Sequence, residues 1–328
     1  MSDDALLRVE DLVVEIPTRR GLLVPVNGVS FQVRAGEILG VVGESGAGKS
    51  ITGTAITGLL DKPARITSGS IHLDGQEISN LSYSALRKVR GKQIGAVFQD
   101  PLTSLNPLMT VGDQLAETAL AHLDISRAEA DKRALQSLID VGIPAAENRI
   151  NGYPHEFSGG MRQRVVIALA LIGEPKLIIA DEPTTALDVS VQAQVLALLQ
   201  KLCRERNTGV MLITHDMGVI AETTDRVAVM YAGRIVEVGR TSDVLTSPRH
   251  PYTRGLVGAT PTTSVDGEVQ KRLNQIPGAM PGLLSIPEGC AFHPRCTLAI
   301  ESCGKRVPPL VHDESGSVAC VLVSGEQS

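Results

Sequence analysis

The chain has 328 residues, of which 43% are hydrophobic, 20% charged and 2% aromatic, with no tryptophan. This length and balance predict a globular protein with a large core and two or three folding units. The net charge of −5 disfavours a general nucleic-acid-binding protein, which normally carries a basic surface. The small basic cluster at Arg87, Lys88, Arg90 and Lys92 is explained by a solvated helix face.

The sequence predicts a cytoplasmic protein. No apolar run reaches the roughly 18 residues that a membrane span requires. The chain starts with the acidic residues Ser2, Asp3 and Asp4 and lacks the basic and apolar regions of a signal peptide. The five cysteines are therefore expected to be reduced thiols rather than a set of disulfides.

The first hundred residues predict mostly strands. Apolar residues alternate over residues 5–16 and 26–33, which is typical of half-buried strands. Residues 68–78 predict a strand and a turn, with Asp74 and Gly75 as the hairpin signal. Residues 93–98 predict a short buried strand.

A glycine-rich motif interrupts these strands. An apolar strand at residues 38–42 leads into the sequence GESGAGKS, which has the spacing G-x-x-x-x-G-K-[ST], and residues 51–60 predict a helix. Glycines let successive backbone N–H groups wrap a polyphosphate, and a helix N-terminus favours negative charge. We therefore predict a phosphate-binding loop with these members: Gly43, Glu44, Ser45, Gly46, Ala47, Gly48, Lys49, Ser50 and Ile51. Lys49 is expected to reach the β- and γ-phosphates, and the Ser50 hydroxyl to bind Mg²⁺.

The rest of the chain alternates helices with strands. The hydrophobic period is helical over residues 110–172, and Ser126 begins one of these helices. Strands are predicted at 176–180, 210–214 and 226–230, with helices between them. Cys203 lies on the first of those helices and is expected to be a core residue. This alternation predicts an α/β core with a mainly parallel sheet.

Two adjacent acids end one of the apolar strands. Asp181 and Glu182 follow residues 177–180, and a phosphate-binding loop needs such a partner carboxylate. We expect Asp181 to bind Mg²⁺, and Glu182 to orient and deprotonate an attacking water.

Three further pieces identify a family. They are Gln99 after a strand, the segment from Phe157 to Gln163 with the sequence FSGGMRQ, and His215 at a strand end. With the loop and the acidic pair, in this order over residues 5–245, the chain resembles the ATP-binding cassette (ABC) ATPases. The resemblance implies a P-loop NTPase (RecA-like) core with an N-terminal antiparallel β subdomain and a helical subdomain inserted at about residues 110–172. It makes residues 1–245 the nucleotide-binding domain, with ATP and Mg²⁺ as cofactors.

The resemblance also implies a head-to-tail dimer with two ATP molecules in its interface. The signature residues Ser158, Gly159, Gly160 and Met161 would contact the ATP held by the partner. Gln99 would sense Mg²⁺ and the attacking water and would couple to a membrane subunit, and Mg²⁺ would be bound by Ser50, Gln99 and Asp181. His215 would hydrogen-bond the γ-phosphate, and Asp188 would lie at the dimer contact.

Two features depart from the family pattern. The strict signature is LSGGQ, whereas this chain has Phe157 and Met161 at its ends. The family usually stacks adenine on an aromatic residue upstream of the loop, yet no aromatic residue precedes Phe31. Arg19 or Arg20 could stack there instead, because guanidinium is planar.

The composition shifts at about residue 247, after which nine of the 18 prolines and four of the five cysteines occur. The segments SPRHPYT, IPG and GCAFHPRC resemble the C-terminal region of the ATPases of dipeptide, oligopeptide and nickel ABC importers. We therefore expect residues 246–328 to form a loop-rich extension. In such importers two ATPases, here expected to be a heterodimer, work with two permeases and an external solute-binding protein.

Cys290, Cys296, Cys303 and Cys320 lack the close pairing of usual zinc sites. Four thiolates suit either Zn²⁺ or an iron–sulfur cluster. Similar importer ATPases carry a [4Fe–4S] cluster, so the resemblance favours iron; four unligated thiols are the other alternative.

Together these features predict an ATP-hydrolysing subunit at the cytoplasmic face of the inner cell membrane. It would be attached peripherally and would energise the import of peptides or of related small solutes such as nickel complexes. The alternative is a soluble ABC ATPase of DNA repair or translation. That class typically has two cassettes or a long coiled-coil insertion, and this chain has neither.

Overall fold

The structure is a computed structural model that describes residues 5–185, 187–260 and 275–323. The acidic start at residues 2–4, Ala186 before the predicted dimer contact, and residues 261–274 and 324–328 of the extension lie outside the described residues. The chain divides into two compact units. The first contains Gln32–Ile38 and His72–Leu212, and the second contains Arg8–Phe31, Leu39–Ile71 and the chain from Ile213 onward.

Strands occur in both units. In chain order they are β1 (Leu7–Thr18), β2 (Gly21–Val33), β3 (Ile38–Val42), β4 (Arg65–Leu73), β5 (Gln76–Glu77), β6 (Ile94–Val97), β7 (Leu177–Asp181), β8 (Gly209–Thr214), β9 (Arg226–Tyr231), β10 (Arg234–Arg240), β11 (Val311–Asp313) and β12 (Gly316–Val318). The strands predicted from the apolar pattern are all present, and the hairpin at Asp74 and Gly75 joins β4 to β5. Both turn residues have positive φ, which this kind of tight hairpin requires.

The helices follow the predicted alternation. They are α1 (Lys49–Thr57), α2 (Tyr83–Val89), α3 (Pro101–Ser104), α4 (Val111–His122), α5 (Arg127–Asp140), α6 (Ala146–Arg149), α7 (Gly159–Leu171), α8 (Val189–Arg206), α9 (Met217–Thr223), α10 (Thr241–Thr246), α11 (Pro251–Gly258) and α12 (Glu301–Lys305). Short 3-10 turns lie at Pro154–Glu156 and His293–Arg295.

The first unit combines a parallel strand pair with a helical layer. β6 and β7 are parallel, with Ile94 opposite Leu177 and Val97 opposite Ala180, and β8 follows β7 in the sheet order. Helix α7 packs closely on β6, since a side chain at Gly95 would come within 2.3 Å of the Ala170 carbonyl oxygen. Helices α4 and α5 pack on each other and on α7. Ser126 and Glu129 form a capping box that fixes the start of α5.

The second unit holds the other strands of the core and the C-terminal extension. β3 runs parallel to β9, and β9 forms an antiparallel hairpin with β10. The extension then adds β12 to β10 and β11 to β12, both antiparallel. Sequence analysis missed β10, β11 and β12. The last two are three residues each, which is too short for alternation to be recognised. The N-terminal sheet has the order β2–β1–β4–β5.

Candidate nucleotide-binding site

The predicted phosphate-binding loop connects β3 to α1 in the second unit. All five residues of β3 are buried, so the loop starts from a fixed point. Gly43 leaves no space for a side chain, because its Cβ would lie 2.2 Å from the carbonyl oxygen of Met230. Two features exclude every residue type except glycine at position 48. Its φ is 102°, and its Cβ would lie 2.2 Å from the carbonyl oxygen of Pro25.

Lys49 begins α1 and is 6% exposed. Its ammonium group donates to the carbonyl oxygens of Gly43, at 2.7 Å, and Glu44, at 3.0 Å, so the side chain curls back over the loop. The N-cap residue, Gly48, has no side chain to cap the helix, which leaves the first-turn N–H groups oriented toward the loop. A cation and a helix N-terminus thus meet at one concave turn, which is the arrangement that binds polyphosphates.

The first unit brings together two other predicted residues. The side-chain amide of Gln99 donates to Oε2 of Glu182 at 3.1 Å. They meet because β6 and β7 are parallel neighbours, and both residues follow the carboxyl ends of these strands. The Thr185 hydroxyl donates to the same carboxylate oxygen at 2.9 Å. Asp181 is the last residue of β7 and is half-buried beside Glu182.

Glu182 has a φ of 46°, which is uncommon for a residue with a side chain. Such backbone strain persists where the surrounding structure fixes it, and it is frequent at functional sites. The hydrogen bonds from Gln99 and Thr185 therefore hold the carboxylate of Glu182 in one orientation on a strained backbone.

The predicted signature residues start helix α7. Ser158 is exposed and is the N-cap residue, and its hydroxyl accepts a hydrogen bond of 3.4 Å from the Met161 N–H group. A side chain at Gly160 would come within 2.3 Å of Val191, so the start of α7 lies against the start of α8. Asp188 is the exposed N-cap of α8, and the Val191 N–H group lowers the pKa of its carboxyl, as does the Ser190 hydroxyl.

His215 follows β8 in the second unit, and its side chain is exposed. The predicted site residues are thus shared between the two units. The loop and His215 belong to the second, and Gln99, Asp181, Glu182 and the signature belong to the first. Arg19 and Arg20, the predicted adenine-stacking residues, are exposed in the turn between β1 and β2.

The C-terminal extension also contacts the loop, which sequence analysis missed. The Glu44 N–H group donates to the Tyr252 hydroxyl at 2.9 Å, and the Glu44 carboxylate pairs with Arg295. Tyr231, Tyr252 and Phe292 pack together, with ring centroids 4.6 to 5.4 Å apart. The sequence carries no local signal of this cluster, because its three members lie far apart in the chain.

His250 anchors this cluster from the start of α11. Burial and, to a smaller extent, the nearby charge of Arg254 lower its pKa to about 4. The neutral ring accepts a hydrogen bond of 3.0 Å from the Tyr252 N–H group through Nδ1. The buried Glu237 accepts from the backbone N–H groups of Arg249 and His250, at 2.8 and 2.9 Å. These bonds fix the segment that carries Tyr252.

The four cysteines of the extension are free thiols in partly or fully buried positions. Burial raises the pKa of Cys290 to about 11, and the neighbouring Cys303 and Cys320 contribute. Burial likewise raises the pKa of Cys296 and Cys320. Across the described ranges, no three His, Cys, Asp or Glu side chains are placed so that they could hold a metal ion. The structure therefore gives no support to the predicted iron–sulfur cluster or to a zinc site: thiols near one another are present, but not as a ligand set. Cys203 is buried in α8, as expected.

Within the described part of the chain, no helix is both long enough and apolar enough to cross a membrane.

A glycine-rich loop between a buried strand and a helix, with an acidic pair after a second parallel strand, defines a P-loop NTPase of the cassette type. Solved structures agree. The dimeric ATP-binding cassette MJ0796 bound to ADP and Pi has a TM-score of 0.65 and 29% identity, and covers 72% of this chain and 98% of its own. The cassette cbiO1 from Clostridium perfringens, part of the ABC transporter complex cbiONQ, also has a TM-score of 0.65 and 29% identity; it covers 75% of this chain and 92% of its own.

Sequence comparisons are more specific. The ABC transporter family matches residues 26–185, and the C-terminal region of oligopeptide/dipeptide transporters matches residues 236–303. The oligopeptide transport ATP-binding protein OppD of Escherichia coli is 52% identical over 307 residues, covering 94% of this chain and 90% of that protein. The dipeptide transport ATP-binding protein DppD of Bacillus subtilis is 46% identical over 321 residues, covering 97% and 95%.

The chain therefore belongs to the ABC transporter ATPases, in the group with the oligopeptide/dipeptide C-terminal region. The predicted fold class, family and ATPase activity coupled to peptide transport are confirmed. The match over residues 236–303 contradicts the alternative of a soluble ATPase of DNA repair or translation.

Proposed function

We propose that this chain binds ATP at residues 43–51 and hydrolyses it to drive peptide import through a membrane permease pair. The main support for the proposal is the hydrogen bond between Gln99 and Glu182 at the end of two parallel strands. The same chain has a loop that fits a polyphosphate. Such a carboxylate, held by an amide, is suited to orient a water molecule.

In this mechanism the loop N–H groups and Lys49 bind the β- and γ-phosphates. Ser50, Asp181 and Gln99 would hold Mg²⁺, which would neutralise charge on the phosphate oxygens. Glu182 accepts a proton from the water that attacks the γ-phosphorus, and the bond to ADP breaks as phosphate forms. His215 donates to a γ-phosphate oxygen.

We further propose a head-to-tail dimer in which Ser158, Gly159, Gly160 and Met161 contact the ATP of the partner. Support comes from the position of Ser158, which is exposed at the N-terminus of a thirteen-residue helix. A hydroxyl and free N–H groups at such a site suit a phosphate. Asp188, exposed at the start of α8, is proposed to lie at the same contact.

We propose that the partner ATPase is a different chain and that the pair binds two permeases at the cytoplasmic face of the inner membrane. An external solute-binding protein would deliver the solute, and no nucleic acid takes part. Residues 1–245 would act as the nucleotide-binding domain and residues 246–328 as an extension specific to this group. Co-purification from membranes tests the assembly. Recovery of the chain without any membrane subunit would contradict it.

The transported solute is proposed to be a peptide, with nickel complexes as the second candidate. The names of the relatives favour peptides, since both OppD and DppD are peptide transport proteins. ATP-dependent uptake into vesicles that contain the complete transporter would separate dipeptides, longer peptides and nickel. Uptake of nickel alone would overturn the peptide assignment.

We propose a structural role for the four cysteines, with a [4Fe–4S] cluster as the group that the family resemblance implies. Their number and mutual proximity support it, whereas their placement does not form a ligand set. Metal analysis of anaerobically purified protein decides between the alternatives. Roughly four irons per chain would establish the cluster, one zinc would replace it, and neither would leave four unligated thiols.

A further inference from the structure

The C-terminal extension contacts the phosphate-binding loop through a partly buried ion pair. Arg295 is 9% exposed and faces the carboxylate of Glu44, the second residue of the loop. Its Nη1 and Nη2 donate to the two carboxylate oxygens at 2.8 and 3.0 Å, which makes the pair bidentate. Bidentate pairs of this kind are both the strongest and the most directional side-chain contacts.

Three further hydrogen bonds fix the guanidinium. Its Nε donates to the Pro277 carbonyl oxygen at 2.8 Å, and Nη2 also donates to that of Gly278 at 3.3 Å. Nη1 donates to the Tyr231 hydroxyl at 3.3 Å. Arg295 therefore has little freedom to follow Glu44 elsewhere, and the ion pair fixes the position of the carboxylate.

Two further contacts hold the same loop. The Tyr252 hydroxyl accepts from the Glu44 N–H group, and Met280 lies against Gly46, where a side chain would come within 2.8 Å of its methyl group. The extension thus touches the backbone, the side chain and the middle of the loop.

The charge of Glu44 needs such a partner. Its carboxylate is partly buried, with 28% of the side chain exposed, and sits on a loop whose proposed ligand is a polyphosphate, so the like charges repel each other. An unpaired carboxylate there would weaken nucleotide binding.

We propose that Arg295 is a positioning residue of the nucleotide site: it neutralises Glu44 and holds the loop in the conformation that accepts a polyphosphate. The inference rests on the proposed function of the loop. It gives the C-terminal extension a direct part in ATP binding, in addition to any role in assembly.

The test uses the purified full chain and measures Kd for ATP, together with KM and kcat. Arg295→Gln is expected to raise Kd and KM for ATP by about tenfold or more, with a smaller change in kcat. Adding Glu44→Gln to that variant is expected to recover most of the lost affinity, because the unpaired charge is gone. A merely structural role predicts no recovery.

Arg249→Gln is the matched control. Arg249 forms a bidentate pair with Asp313 at 2.9 and 2.5 Å in the same unit but makes no contact with the loop. The Arg249→Gln substitution is expected to leave Kd for ATP unchanged. Circular dichroism and melting curves of each variant identify any loss of fold.

Two results would overturn the proposal: an unchanged Kd in Arg295→Gln, or equal losses in the single and double variants. The Lys49→Ala variant distinguishes a failure of the Arg295 proposal from a failure of the proposed function. If Lys49→Ala still binds ATP normally, the loop is not the nucleotide site. If Lys49→Ala abolishes binding and Arg295→Gln does not affect it, only the role of Arg295 is wrong.

Discussion

The amide of Gln99 donates a hydrogen bond of 3.1 Å to the carboxylate of Glu182, although 83 residues separate them in the chain. Glu182 adopts a strained left-handed backbone conformation at the same point. An amide can orient this carboxylate without neutralising its negative charge, so the carboxylate keeps the charge that a general base needs. The roles of the two residues can be separated by substitution.

Glu182→Gln is expected to bind ATP normally and to lower kcat by about 10²- to 10⁴-fold, since an amide cannot accept the proton. The bound ATP should then persist and stabilise the proposed dimer, which size-exclusion chromatography of this chain with its partner ATPase, with and without ATP, would detect. Glu205→Gln, on the exposed face of α8, is the control and should hydrolyse ATP at the normal rate. Full hydrolysis by Glu182→Gln would assign the base elsewhere.

Gln99→Ala is expected to lower kcat by about tenfold, because hydrogen bonds to charged groups contribute about 1.5–3 kcal/mol. The loss should be smaller than in Glu182→Gln, since Thr185 still donates to the carboxylate. Gln136→Ala is a matched control. Gln136 also donates to a carboxylate, that of Asp140 at 2.8 Å, on the exposed face of α5. Equal effects of the two substitutions would remove Gln99 from the catalytic arrangement.

Local patterns were sufficient to predict most of the fold. The periodicity of apolar residues placed the central strands and the helices of residues 110–172, and the glycine spacing placed the loop. The Gln99–Glu182 contact was not predicted as a pair, because it depends on β6 and β7 being neighbours in the sheet.

The contact between the C-terminal extension and the loop could not be predicted from the sequence for a similar reason. Arg295 and Glu44 are 251 residues apart, and no periodicity links them. β10 went unrecognised, and β11 and β12 are three-residue strands that exist by pairing on it. The cluster that the family resemblance implied for the four cysteines stays a prediction, because the described structure places no ligand set there.

Gly48→Ala is expected to abolish ATP binding. The new methyl group would lie 2.2 Å from the Pro25 carbonyl oxygen, so the loop must move. Gly75→Ala separates this effect from backbone strain. Gly75 also has a positive φ, at 78°, but nothing lies within 4 Å of its Cβ position. This control should lose only about 1 kcal/mol of stability and keep its Kd for ATP. Retained binding in Gly48→Ala would contradict the loop geometry.

The lowered pKa of His250 predicts that the free energy of unfolding decreases on mild acidification. Burial lowers its pKa from 6.5 to about 4 in the folded state, whereas in the unfolded chain the pKa returns to its ordinary value. The unfolded state therefore binds more protons between pH 6.5 and 4. The stabilisation is complete above pH 6.5 and is lost as the pH falls toward 4, by about 3 kcal/mol in total.

Urea unfolding at pH 7.5, 6.5 and 5.5, followed by tyrosine fluorescence, measures this dependence. Tyr231 and Tyr252 pack on Phe292, which contacts the His250 ring, and the chain has no tryptophan. His250→Gln can retain an acceptor for the Tyr252 N–H group but does not titrate. It should be less stable than the wild type at pH 7.5, and the difference should shrink at pH 5.5. Carboxylates elsewhere titrate equally in both proteins, so the difference isolates the histidine.

His155→Gln, at an exposed histidine, should follow the wild-type curve. Parallel curves for wild type and His250→Gln would show that His250 titrates in the folded protein as it does in the unfolded chain, and that the segment carrying Tyr252 to the loop is open to water.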